Sequence, residues 1–134
     1  MRRVIIIETI KVNDSTYQYK GVESGLVLFN KSINDTSDGI VEYIGAIHGL
    51  MLIKKNMWNG EVRVKTPYIK ECISNKKYPH KSSDEKTDSL LSKCTMWVLE
   101  QKKILDIYLI NPEDEKKVKD VSERFKQRKT WYNE

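Results

Sequence analysis

The chain has 134 residues, 39% of them hydrophobic and 32% charged, with a formal net charge of +5 and a pI near 9.1. This is the balance of a soluble globular domain, and no apolar run approaches the ~20 residues that a membrane helix needs. Two cysteines, Cys72 and Cys94, and two histidines, His48 and His80, are too few and too widely spaced for a zinc set. The thiols therefore read as buried and free in a reducing, intracellular compartment, the cytoplasm being the simplest choice.

A chain of this size is expected to form one domain, residues 1–134, around one core. The stretch MRRVIII joins a positive end to a short apolar run that stops at Glu8 without a small-residue cleavage site, so it reads as a first strand, Val4 to Ile10, with one acid near its end. Asn13-Asp14-Ser15 supplies a turn, Thr16 to Val22 alternates as a half-solvated strand, Glu23-Ser24-Gly25 turns back, and Leu26 to Ile33 is a third strand. Three strands on short turns imply an antiparallel meander.

Asn34 to Gly39 is turn-rich, and Ser37 or Asp38 can cap the helix that follows. From Ile40 to about Lys55, Ile40, Tyr43, Ile44, Ile47, Leu50 and Met51 recur at helical spacing, and Gly45, Ala46 and Gly49 form a small-residue stripe suited to close packing on a sheet. Val62 to Lys65 is a fourth strand, and Pro67 suits the first turn of a short helix ending near Ser74. Asn75 to Lys86 reads as an exposed loop, Leu90, Leu91, Cys94, Trp97 and Val98 mark another helix, and Ile104 to Ile110 is a fifth strand. Asn111-Pro112-Glu113 is a helix start, and Val118, Val121 and Phe125 give the last helix its apolar stripe.

The order is thus β β β α β α α β α, an α/β arrangement with a five-stranded mixed sheet and helices on its faces. Two stretches add a resemblance to this topology. SDGIVEYIGAIHGL, residues 37–50, resembles the first helix of the type 1 ribonuclease H family, with Glu42 at the position of a catalytic Glu. KTPYIKECI, residues 65–73, resembles that family's strand-to-helix junction, which typically begins Asp-Ser. The resemblance implies a ribonuclease H-like fold.

Active members of that family hold two magnesium ions on four carboxylates, because hard cations need oxygen ligands. In this chain the resemblance places Glu8 at the first position, where the family has a shorter Asp, and Glu42 at the second. Lys65 falls at the third, and an ammonium group repels a cation. The fourth falls on Val118 or, with two extra residues, on Asp120; two residues turn a helix by about 200°, so Asp120 points away from the face of Val118 and Phe125, which favours Val118. The family's His-containing loop has no counterpart in Leu109-Ile110-Asn111, and His48 does not share a helix face with Glu42. A lysine between Glu8 and Glu42 is expected to neutralise them in place of a metal.

The basic balance and the stretch Lys76, Lys77, Tyr78, His80, Lys81 suit a polyanion, with cations for phosphates and an aromatic for a base. The leading expectation is a catalytically degenerate ribonuclease H-like domain, a pseudoenzyme without a metal cofactor, that binds an RNA/DNA hybrid or structured RNA. One alternative is a protein-interaction module comparable to the connection domains of reverse transcriptases. The other is a divergent magnesium-dependent nuclease using Glu8, Glu42 and Asp120.

Overall fold

The computed structural model describes residues 2–34, 38–77, 84–101, 107–113 and 115–119. Three strands open the chain: β1 (Arg3–Lys11), β2 (Thr16–Glu23) and β3 (Leu26–Asn34). They form the expected antiparallel meander. The first turn is closed by Asn13, whose Oδ1 accepts from the amides of Ser15 and Thr16. The second places Ser24 and Gly25 at φ +49° and +81°, the pair of left-handed residues whose twist matches a two-residue hairpin.

The chain then forms α1 (Asp38–Lys55), β4 (Gly60–Val64), α2 (Pro67–Ser74), α3 (Glu85–Glu100) and β5 (Ile107–Leu109). β4 pairs parallel with both β1 and β5, giving the sheet order β3-β2-β1-β4-β5. The mixed five-stranded sheet inferred from the element order is therefore present.

Alternation along the strands separates two faces. Ile5 and Ile7 of β1, Tyr17 and Tyr19 of β2 and Val62 and Val64 of β4 face α1 in the apolar core. α1 lies close because glycines make room. A Cβ on Gly45 would stand 3.0 Å from both Ile7 Cγ2 and Tyr19 Cδ1, and one on Gly49 3.0 Å from Val62 Cγ2. Its far side is covered in part by α3 through Leu91, Cys94 and Val98, and α2 adds Ile69, Cys72 and Ile73, so α1 is buried on most of its circumference. Each fully buried aliphatic side chain contributes about 1.5–3 kcal/mol. Both cysteines are buried and free. On the second face, Lys117 shares a hollow with Val4, Ile6 and Arg63, which places the helical residues 115–119 across that side of the sheet.

Three boundaries differ from the sequence reading. Lys65 is not a strand residue: β4 ends at Val64, and the chain bends at Lys65. α3 begins within the stretch assigned to a loop, because Asp84 accepts from the Thr87 amide at 2.9 Å and caps it, and Thr87, Leu91, Cys94 and Val98 carry the buried stripe one turn further back. The fifth strand is described over Ile107–Leu109, and 102–106 lie outside the described residues. The last helix starts as expected, with residues 112–113 and 115–119 helical and the Glu115 amide bonded to the Asn111 carbonyl at 3.0 Å. Val121 and Phe125 lie outside the described residues. Among the described residues, no helix is long and apolar enough to cross a membrane.

Candidate functional site

Parallel pairing brings the C-terminal ends of β1 and β4 together, and the N-terminus of α1 lies beside them. Asp38 and Glu42 sit one helical turn apart, so both face this junction. Lys65, the first residue after β4, reaches into it: its Nζ lies 2.9 Å from Asp38 Oδ2 and donates to Thr9 Oγ1 at 2.6 Å. The Thr9 hydroxyl in turn donates to Asp38 Oδ1. Ammonium, hydroxyl and carboxylate thus close a ring that is internally neutral. The Lys65 and Asp38 side chains are 42% and 47% exposed, so their ion pair contributes less than about 1 kcal/mol.

Glu42 is fully buried. Its two oxygens accept from the main-chain amides of Lys65 and Thr66, both at 3.2 Å. Thr66 is the N-cap residue of α2 but makes no side-chain cap bond, so Glu42 is the carboxylate that anchors the strand-to-helix junction. Burial pushes its carboxyl pKa up, against the opposing pull of the bond to Thr66 and the charge of Lys65.

Glu8 does not join this cluster. It neighbours Thr9 on β1 and therefore projects from the other face, opposite Lys20 in the register, where Lys20 Nζ lies 3.2 Å from Glu8 Oε2. The expectation that Lys65 lies between Glu8 and Glu42 is corrected accordingly: the Lys65 ammonium pairs with Asp38, Glu42 is held by main-chain amides, and Glu8 pairs with the fully buried Lys20. The strand order is the physical reason. β1 is central and buried on both faces, so its sequence gives no sign of which face carries α1.

Glu8, Thr9, Lys11, Lys65, Glu115, Val118 and Lys119 line one cleft of about 510 Å³ at the end of β1. Val118, 7% exposed, presents a side chain without oxygen to it, and Asp120 lies outside the described residues. Among the described residues, no group of three or more His, Cys, Asp or Glu is arranged to hold a metal ion. The donors that surround the junction do not fit a pair of divalent cations. The Asp38 carboxylate meets a lysine and a hydroxyl, and both Glu42 oxygens meet amides.

Within the basic stretch, Lys76 turns inward and donates to the carbonyl of Gln101, the C-cap of α3, at 2.5 Å, while Lys77 is exposed. Tyr78, His80 and Lys81 lie outside the described residues. His48 is part of the packing: its Nδ1 lies 2.7 Å from the Tyr19 hydroxyl, its ring stacks on Phe29 with centroids 4.0 Å apart, and burial lowers its pKa.

The reading of the sequence missed Thr9 and passed over Asp38 as a member of the cluster. For Asp38 a signal existed, its spacing of four residues from Glu42. Glu115 and Lys119, which also line the cleft, carried none beyond their place on the last helix.

No family model matches this chain, and no curated protein does. Solved structures do. The chain is similar to a ribonuclease H1 isolated from compost by a metagenomic approach, with a TM-score of 0.57 and 15% identity over 90% of this chain and 91% of that one. It also matches ribonuclease H1 of the halophilic archaeon Halobacterium salinarum, with a TM-score of 0.46 and 13% identity over 83% and 84% of the two chains. A third match is the N-terminal ribonuclease H domain of a Mycobacterium tuberculosis protein, at 0.44 and 14% over 91% and 98%. The chain has the ribonuclease H fold.

Proposed function

We propose that this chain, built on the ribonuclease H fold, binds nucleic acid and does not cut it. One observation carries the reading: at the junction where a metal site of this fold would need carboxylates, the Lys65 ammonium bridges Asp38 and Thr9, and Glu42 is committed to the amides of Lys65 and Thr66. A cation there is fixed to the protein and needs no magnesium. Val118 leaves the cleft wall apolar where a further ligand would stand.

Binding is supported by charge. Lys11, Lys65 and Lys119 border the cleft against Glu8 and Glu115, and Lys77 is exposed nearby in sequence to α2. The chain as a whole carries a net +5. Such a surface holds a phosphate backbone by ionic contacts, with an RNA/DNA hybrid or structured RNA as the ligand.

The test is fluorescence anisotropy with hybrid, duplex RNA and single-stranded probes, with and without magnesium, alongside a gel assay for cleavage. The expected result is binding that weakens with salt, does not change with magnesium and gives no product. Failure of every probe to bind at low salt overturns the proposal. Metal-dependent cleavage that disappears in Glu42→Gln also overturns it, in favour of an active nuclease using Glu8, Glu42 and Asp120.

A further inference from the structure

At the opposite end of α1 lies a second hollow, about 460 Å³ in volume and lined by His48, Met51, Leu52, Lys54, Lys55 and Trp97. Its walls are the C-terminal halves of α1 and α3. Lys54 joins them, since its Nζ donates to Gln101 Oε1 and lies 5.9 Å from the Trp97 ring centroid. Residues 38 and 54 are separated by about 24 Å along the helix axis, so this groove is remote from the Lys65 junction.

Two features distinguish it from ordinary surface. The first is apolar exposure: Met51, 42% exposed, stands in the lining with Leu52 and Trp97, whereas the exposed Met57, Met96 and Leu99 lie near it in sequence but outside the lining. Methionine is flexible and polarisable, and adapts to a partner's side chains at little cost. The second is charge. Lys54 and Lys55 are both exposed on the groove rim, where they face solvent beside an apolar floor.

We propose that this groove docks a partner-protein segment that carries an apolar or aromatic anchor flanked by acidic residues. The anchor fills the space between Trp97, Met51 and Leu52, and the acids meet Lys54 and Lys55. A nucleobase fits less well. Among the described lining residues, the hydrogen-bonding groups besides the two lysines are the Trp97 indole N–H, a donor only, and His48, whose Nδ1 is already engaged by Tyr19. This inference is independent of the nucleic-acid reading, because it uses no residue of the Lys65 cleft.

The test is a chemical-shift titration of the whole chain with three synthetic peptides: one of alternating Leu or Phe and Glu, the same with Lys for Glu, and one of Ser and Glu only. A single-stranded RNA oligonucleotide is the fourth probe. The expected result is saturable shifts at Met51, Leu52, Lys55 and Trp97 with the acidic apolar peptide alone. Affinity should fall by about tenfold or more in Lys55→Glu and in Met51→Asp, two exposed positions whose change leaves the core intact. If Lys55→Glu leaves the affinity unchanged, if all three peptides shift the groove equally, or if RNA shifts it in preference to the peptide, the proposal is overturned.

Discussion

Glu42 carries a structural load at the strand-to-helix junction. Two main-chain amides depend on it, and the N-cap residue Thr66 makes no side-chain cap bond of its own. Glu42→Ala leaves both amides without their acceptor and should destabilise the fold by about 2 kcal/mol in urea unfolding at neutral pH. The same experiment across pH has a definite sign. The folded carboxyl pKa lies above its unfolded value, so the folded state binds the proton more tightly. The contribution of Glu42 therefore favours folding at pH below the unfolded carboxyl pKa and is lost as pH rises through the raised one, a slope that Glu42→Ala should remove. Lys65 invites the converse substitution. Lys65→Asp removes the fixed cation, yet Val118 still offers the cleft no oxygen, so magnesium-dependent hybrid cleavage should stay absent in a gel assay.

At the scale of elements, the position of α1 decides the geometry of both the Lys65 junction and the α1–α3 groove. The helix rests on β1, β2 and β4 through Gly45 and Gly49, and the neighbours of Gly45 have little room to move. Ile7 and Tyr19 are buried, and the Tyr19 hydroxyl is held by His48. A Cβ at Gly45 therefore meets a fixed surface. Gly45→Val should cost about 3 kcal/mol through overpacking, and Gly45→Ala less, because its gain of about 1 kcal/mol in helix propensity offsets part of the clash. Thermal unfolding of the two variants checks the order. Gly45→Val is also expected to weaken nucleic-acid binding more than Gly45→Ala, since a lifted α1 carries Asp38 away from Thr9 and Lys65.

For the whole molecule, the arrangement separates two surfaces along one helix. The first turn of α1 is tied through Asp38 to Lys65 and Thr9 of the lysine-bordered cleft, and its last turns line the groove with Trp97. If about three phosphates are neutralised at the cleft, a fourfold rise in salt should weaken binding roughly 40-fold, whereas groove binding by an apolar-anchored peptide should respond much less. Salt dependence measured for both ligands on the same protein separates the two.

Much of this could be read from the residues. Short polar turns fixed the meander, the small-residue stripe fixed how α1 meets the sheet, and Pro67 fixed the start of α2, because each of these is a local property of the backbone and its nearest side chains. KTPYIKECI likewise identified a strand-to-helix junction with a lysine at its head. What the sequence could not decide was which neighbours that lysine would meet. Glu8 and Thr9 are adjacent in a strand apolar on both faces, and only the packing of α1 against one face assigned Thr9 to the Lys65 cluster and left Glu8 to the buried Lys20. The fate of Glu42 was equally nonlocal: its partners are amides 23 and 24 residues away, brought within reach by the parallel pairing of β1 with β4. Periodicity selects a face, but only the assembled sheet and helix determine what that face touches.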